Sequence, residues 1–245
     1  MTDDGPAAAG SSVAAERDAL LAAALPHVAF DGWTDRALSA GARDLGLGRE
    51  RAAELFPRGA RQALAHFSRW ADRQMTESFE AAVATGRGAD LRVHEKIMLA
   101  VELRLNALAP HREAVRRGLT FLALPPNAPL GARLLYRTVD DIWYAAGDRA
   151  ADFSFYTKRG LLAGVVASTT LFWLDDASED FAETHAFLER RIADVMRIHR
   201  LRQRTGDMRR PDMPNPFRIL RDVVRKRYGS GGDAGGYDLG DNRVT

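Results

Sequence analysis

Histidine and acidic side chains, which could serve in acid–base or metal chemistry, are spread along the chain without the spacings that such chemistry needs. The 6 histidines form no Glu-x-x-His pair, although a di-iron site in a helical bundle is usually built on such pairs. The sequence also contains no zinc-protease HExxH, no phosphate-binding GxxxxGK(S/T) and no nucleophile-bearing GxSxG. It has no cysteine, which excludes disulfides and thiolate chemistry. We therefore expect a protein that is not an enzyme and that carries no metal and no cofactor, although an uncharacterised helical enzyme remains an alternative.

Side chains suited to recognition are concentrated between Val139 and Arg159. The aromatic residues of this segment are Trp143, Tyr144, Phe153, Phe155 and Tyr156, and its acids are Asp140, Asp141, Asp148 and Asp152. Gly147 is a predicted helix end, and Asp152 is the predicted N-cap of the next helix. A helix corner with these side chains suits partner recognition better than catalysis. The alternative is an ordinary packed corner, because apolar residues at helical spacing usually belong to a core.

Apolar residues recur at three- and four-residue spacing almost throughout, which predicts an all-α fold. The predicted helices span residues 14–28, 34–45, 49–56, 57–85, 91–108, 112–122, 130–146, 152–174, 180–203 and 217–228. The predicted domain organisation is a disordered N-terminus (1–13), a three-helix module (14–65), a larger helical domain (66–204), a proline-rich linker (205–216), an amphipathic helix (217–228) and a disordered tail (229–245). The apolar run 160–174 is too short for a membrane span, which needs about 20 residues. It therefore predicts a buried core helix in a soluble, cytoplasmic protein.

Residues 32–64 have the pattern of a helix-turn-helix module and resemble the N-terminal module of TetR-family regulators. Gly46 permits the tight turn, and Phe56-Pro57 closes the short helix after it. Two side chains of the short helix argue against DNA binding. Glu54 would face the DNA phosphates, and Ala53 stands where TetR-family regulators have an aromatic residue that donates a hydrogen bond to a phosphate. Phosphate contacts supply most of the non-specific affinity for DNA. We therefore expect a scaffold that binds no nucleic acid, and a TetR-like transcriptional regulator is the alternative function.

Several segments, in order over residues 17–204, resemble the lipid-binding accessory proteins of ubiquinone biosynthesis (the Coq nine family). The most specific are VDDIW (139–143), AGD (146–148) and DFSFYTKR (152–159), and the others are LPHV (25–28), GWT (32–34), LGL (45–47), VELRL (101–105), LPPNAP (124–129) and FLERRI (187–192). This resemblance implies a TetR-like fold that carries an isoprenoid or quinone lipid and has no catalytic residues. It also implies a docking surface for the di-iron hydroxylase of demethoxyubiquinone, formed by Ile142, Asp152, Phe155 and Tyr156. The family often has Trp-Tyr at the last two positions and Met at the first.

The lipid cavity implied by the resemblance lies in the larger helical domain. The eighth predicted helix mixes small and large apolar residues, which either leave room for a guest or let neighbouring helices pack closely. The residues that we expect to contact the lipid are Leu135, Trp143, Leu162, Val165, Val166, Thr169 and Trp173.

The last predicted helix separates into an apolar and a basic face, as an interfacial membrane helix does. Its predicted membrane-binding residues are Phe217, Ile219, Leu220, Val223 and Val224 on the apolar face and Arg221 and Arg225 on the basic face. The alternative is a terminal helix that packs back on its own domain. The abundance of arginine and alanine suggests a bacterial source. With the resemblance, the helix predicts a protein peripheral to the inner membrane, bound to an anionic lipid surface. Fold-level analogy with TetR proteins also suggests a homodimer.

Overall fold

The computed structural model describes residues 6–88, 90–147 and 155–204, and the regular elements in these ranges are all helical. This confirms the predicted all-α fold class. Two short 3-10 turns, Ala109–His111 and Glu179–Phe181, precede α6 and α9. The α-helices are α1 (Pro6–Asp31), α2 (Asp35–Asp44), α3 (Arg49–Leu55), α4 (Gly59–Ala84), α5 (Val93–Leu108), α6 (Arg112–Ala123), α7 (Ala128–Ala145), α8 (Phe155–Asp175) and α9 (Ala182–Arg204).

Helix α1 extends beyond its predicted limits at both ends. It begins at Pro6, so part of the segment predicted to be disordered is helical, and it continues through Pro26 to Asp31. A proline inside a helix costs about 3 kcal/mol. Leu25 and Val28, on either side of Pro26, are both buried in the core, and their burial offsets that cost. Helix α2 lies so close to α1 that a Cβ on Gly41 would be 2.6 Å from the backbone nitrogen of Ala24.

The predicted tight turn between α2 and α3 is confirmed. Gly46 has a φ of +69°, a left-handed conformation that glycine adopts without strain. The Gly46 N–H donates to the Arg43 carbonyl at 2.9 Å, and the Leu47 N–H donates to the Ala42 carbonyl at 2.8 Å. These bonds satisfy carbonyls that the end of α2 would leave unpaired.

The helix-turn-helix module and the larger helical domain share one core. The predicted boundary at residues 65–66 falls inside α4, which is continuous across it. Trp33 of the module donates its indole Nε1–H to the Ala114 carbonyl of α6 at 2.9 Å. Its ring centroid lies 5.4 Å from that of Phe67 on α4. The module is therefore fastened to the helices that follow it.

The loop between α8 and α9 is held by the buried carboxylate of Asp176. Asp176 is buried and accepts hydrogen bonds from the backbone N–H and the hydroxyl of both Ser178 and Thr184. Burial alone would raise the pKa of Asp176, but these hydrogen bonds outweigh it and hold that pKa well below the usual range. The Thr184 N–H belongs to the first turn of α9, so Asp176 helps to satisfy the start of that helix.

The chain divides into two units after His199, and the contacts described here lie in the first. The predicted linker, amphipathic helix and tail lie outside the described residues. Within the described ranges, no helix combines the length and the apolar character that crossing a bilayer requires.

Candidate functional site

A cavity of about 400 Å³ lies among α4, α5, α6, α7 and α8. Its volume falls within the range of small-molecule binding sites, about 300–1,000 Å³. Most of its wall is aliphatic or aromatic, with Leu64 and Phe67 from α4, Leu108 from α5, Val115, Leu119 and Leu122 from α6, Leu134 and Leu135 from α7, and Val166 and Leu171 from α8.

Small residues create the space inside this ring of helices. The cavity wall includes Ala123, Ala128, Gly131, Ala132 and Ala167. At Gly118 the helices approach closely, since a Cβ there would lie 3.0 Å from Leu64 Cδ1 and 3.3 Å from Trp33 Nε1. Leu171, another wall residue, is 58% exposed. The cavity therefore reaches the protein surface, and an apolar guest has a route into it.

One part of the cavity wall is polar. Arg104 of α5 donates from Nε to Asp72 Oδ1 at 2.8 Å, and Thr138 of α7 donates from Oγ1 to the same oxygen at 2.9 Å. Arg104 Nη2 also lies 3.5 Å from the Ser68 hydroxyl oxygen. Arg104, Ser68 and Thr138 all line the cavity. The Arg104 and Asp72 side chains are only 12% and 6% exposed, so this is a buried ion pair.

The structure brings only part of the predicted lipid-binding set to this cavity. Leu135 and Val166 line it, together with two residues beside the predicted ones, Ala167 and Thr170. The remaining five predicted residues are buried outside the cavity wall: Trp143, Leu162, Val165, Thr169 and Trp173. On α8 these lie at spacings of three, four and four residues, which defines a face turned from the cavity into the core. The predicted residues and the cavity wall therefore share helix α8 but lie mostly on different faces of it, and which residues contact a lipid stays a prediction.

The α5 and α6 contributions to the cavity were not predicted. Helix α6 has apolar residues at 115, 119 and 122, a spacing that places them on one face. That spacing indicates a buried face without showing whether the face meets another helix or a cavity. Arg104 lies within the VELRL segment of the resemblance, and nothing in its local sequence marks it as buried.

The predicted docking residues have different placements. Ile142 has no exposed surface, which corrects its assignment to a docking surface, because its side chain packs in the core. Asp152 lies outside the described residues. Helix α8 begins at Phe155 and includes Tyr156, whose side chains also lie outside the described set. The contribution of these three residues to docking stays a prediction.

The predicted helix end before the docking segment is confirmed. Helix α7 ends at Ala145, and Gly147 has a φ of +85° with its N–H donating to the Tyr144 carbonyl at 3.0 Å. Arg159 of α8 donates to Asp140 of α7 at 2.6 Å and 2.9 Å. This ion pair joins the two helices on either side of the segment.

Arg51, in the short helix α3, forms ion pairs with two carboxylates. Arg51 donates to Glu54 at 2.7 Å and to Glu16 of α1 at 3.0 Å. The hydrogen bonds from Glu54 and Glu16 raise the pKa of Arg51 above its usual value. A guanidinium held by two acids is poorly placed to neutralise a phosphate. This arrangement favours a scaffold role for the module, and the absence of nucleic-acid binding stays a prediction.

Known proteins resemble this chain in both sequence and fold. Residues 128–199 match the family model COQ9. The chain is 37% identical over 182 residues to "Ubiquinone biosynthesis protein COQ9, mitochondrial" of Homo sapiens, which covers 73% of this chain and 57% of the relative. It is 31% identical over 198 residues to the protein of the same description from Drosophila melanogaster, which covers 81% of this chain and 60% of the relative. The chain thus spans less than two thirds of these relatives.

A solved structure confirms the TetR-like architecture. It is the crystal structure of the TetR transcriptional regulator from Nitrosomonas europaea ATCC 19718, which superposes with a TM-score of 0.61 at 24% identity. The match covers 74% of this chain and 98% of that chain. At this identity the likeness shows the fold alone.

Proposed function

We propose that this chain is a member of the COQ9 family and acts in ubiquinone biosynthesis as a non-catalytic lipid carrier. It binds an isoprenoid quinone precursor at the membrane and presents it to the demethoxyubiquinone hydroxylase. The observation that carries this proposal is the apolar cavity of about 400 Å³ among α4–α8, which reaches the surface beside Leu171. No bond is made or broken by the carrier itself.

Burial of a prenyl chain supplies enough free energy for this role. Each buried methylene-sized group contributes about 0.8 kcal/mol, so ten buried carbons contribute about 8 kcal/mol before the costs of association. A cavity with an almost wholly apolar wall favours a branched hydrocarbon over a polar metabolite. The size of the cavity suits part of a prenyl chain together with a ring, while the rest of a longer chain extends through the opening.

Access to the membrane is assigned to the amphipathic helix predicted at residues 217–228. Its apolar residues would enter the interface, and Arg221 and Arg225 would face anionic headgroups. Basic residues near such a surface contribute about 1 kcal/mol each. The helix would hold the carrier where its cargo is dissolved.

The carrier function is tested by extraction of a prenylated benzoquinone from vesicles. Full-length protein is incubated with vesicles of phosphatidylcholine and phosphatidylglycerol that contain the quinone, and the vesicles are then removed by centrifugation. We expect quinone in the supernatant in near-stoichiometric amount with the protein. A chain truncated after Thr205 should extract it more slowly from these vesicles. A supernatant without quinone would contradict the carrier function.

Presentation to the hydroxylase is assigned to Asp152, Phe155 and Tyr156, and Ile142 is left out because it is buried. Exchanging Phe155→Ala together with Tyr156→Ala should abolish capture of the hydroxylase, because large apolar side chains supply most of the energy of such contacts. The measurement is a pull-down with tagged hydroxylase, with circular dichroism to show that the helices persist. Phe30→Ala is the matched control, since Phe30 is 86% exposed and lies on α1. Capture that is unchanged in the double variant would contradict the docking assignment.

A further inference from the structure

The polar part of the cavity wall is small, buried and already ordered. Arg104 is fixed by Asp72, and Asp72 is fixed in turn by Thr138, at distances of 2.8 Å and 2.9 Å. Thr138 is itself buried. A guanidinium that is held in this way loses little further conformational entropy when it binds a ligand. The rest of the wall offers a ligand mainly aliphatic contacts.

Arg104, which lines the cavity, retains hydrogen-bonding capacity. A guanidinium has five N–H donors in a planar fork. Nε donates to Asp72 and Nη2 lies at the limit of hydrogen bonding to Ser68, while among the described residues no acceptor is found for Nη1. The hydroxyl oxygen of Ser68 acts as the acceptor for Arg104. The hydroxyl hydrogen of Ser68 therefore stays available to donate to another acceptor. Arg104 and Ser68 both line the cavity, and together they offer donors to a guest.

The charges of Arg104 and Asp72 determine which kind of hydrogen-bond acceptor on a ligand is favoured. Arg104 and Asp72 form a buried ion pair, so their charges cancel to a first approximation. An anionic headgroup would gain from Arg104 but would be opposed by the nearby carboxylate of Asp72, and it would lose its own hydration. A neutral oxygen acceptor avoids both costs and still receives a charge-assisted hydrogen bond.

We propose that Arg104 and Ser68 form a headgroup subsite that binds a neutral ring oxygen, such as a quinone carbonyl, of the lipid whose prenyl chain fills the apolar cavity. The proposal rests on the proposed carrier function and adds to it the polarity of the head and the residues that recognise it. Asp72 and Thr138 are positioning residues, because Asp72 holds the guanidinium of Arg104 and Thr138 holds Asp72.

Three probes with the same ten-carbon prenyl chain test this subsite by calorimetric titration of the full-length protein. The first carries a 1,4-benzoquinone head, the second a benzene head and the third a benzoate head. We expect the quinone to bind at least about tenfold more tightly than the benzene probe, as expected for a hydrogen bond from a charged donor. The benzoate should bind more weakly than the quinone.

The matched variant is Asp72→Asn combined with Arg104→Gln, which removes both charges and leaves no unpaired buried ion. It should bind the benzene probe as the wild type does and should lose the preference for the quinone. If circular dichroism shows that this double variant does not fold, Arg104→Lys replaces it in the experiment. Lysine keeps a positive charge opposite Asp72 but lacks the planar fork of N–H donors. The preference for the quinone probe should again be lost.

The outcomes separate the subsite from the carrier function. Equal binding of the quinone and benzene probes by the wild type, or a preference that persists in the folded variants, would overturn the subsite and leave the carrier intact. Tighter binding of the benzoate would overturn the selection for a neutral head. If the wild type bound none of the three probes, the carrier function itself would fail.

Discussion

Replacing Ala167 with tryptophan should weaken lipid binding strongly while the protein stays folded. Ala167 lies on α8 and lines the cavity of about 400 Å³, so an indole at this position would occupy space that the guest needs. Forcing additional groups into filled apolar space costs about 1–3 kcal/mol. We therefore expect the affinity for a prenylated benzoquinone, measured by calorimetry, to fall by about 10- to 100-fold or more. The melting temperature should change little, because the indole buries its own apolar surface in the cavity.

Gly164→Trp is the matched control on the same helix. Gly164 is exposed and is not part of the cavity wall, and a Cβ there meets no atom within 4 Å. The same large side chain should therefore leave lipid affinity unchanged at this position. A folded Ala167→Trp protein that binds the quinone as tightly as the Gly164→Trp protein would show that the cavity is not the binding site.

Replacing Trp173 with alanine should have the opposite effects to Ala167→Trp. The protein should lose much of its stability but no direct contact with the lipid. Trp173 is fully buried, its ring lies 5.9 Å from that of Phe181, and the Arg112 guanidinium lies 5.2 Å from its centroid. Truncation of a buried tryptophan to alanine costs about 3–5 kcal/mol. The free energy of unfolding in urea should fall by that amount.

Leu171→Ala is the comparison for the Trp173 prediction. Leu171 lines the cavity and is largely exposed, so its truncation should weaken quinone binding and change the unfolding free energy by less than about 1 kcal/mol. Trp173 does not line the cavity, so the folded fraction of Trp173→Ala should retain its quinone affinity at low temperature. Equal stabilities of the two variants would contradict the placement of Trp173 in the core.

Helices and their ends were predictable because they depend on local chemistry. Gly46 and Gly147 end α2 and α7 through left-handed backbone conformations that glycine favours. Helix α1 continues past its predicted end at residue 28, because its packing offsets the local cost of Pro26. The Asp176 carboxylate also escaped prediction, because its partners Ser178 and Thr184 meet it only after the chain has turned.

The faces of α8 could not be assigned from the sequence. The segment Gly160–Leu174 is apolar on all sides, and periodicity identifies a buried face only where a polar face opposes it. Trp173 and Val166 therefore looked alike, although one fills the core and the other lines the cavity. The cavity itself arises from the spacing of five helices. Its buried arginine, Arg104, depends on Asp72, 32 residues earlier in the chain.

Mass spectrometry of bound lipid tests whether this chain carries a prenylated lipid in the cavity among α4–α8. Full-length wild type and Ala167→Trp protein are purified without detergent from cells that make ubiquinone, and their lipids are extracted and quantified. We expect a prenylated quinone or quinone precursor in near-stoichiometric amount on the wild type and its loss from the variant. Bulk phospholipid alone on the wild type, or equal amounts of the prenylated lipid on both proteins, would contradict this expectation.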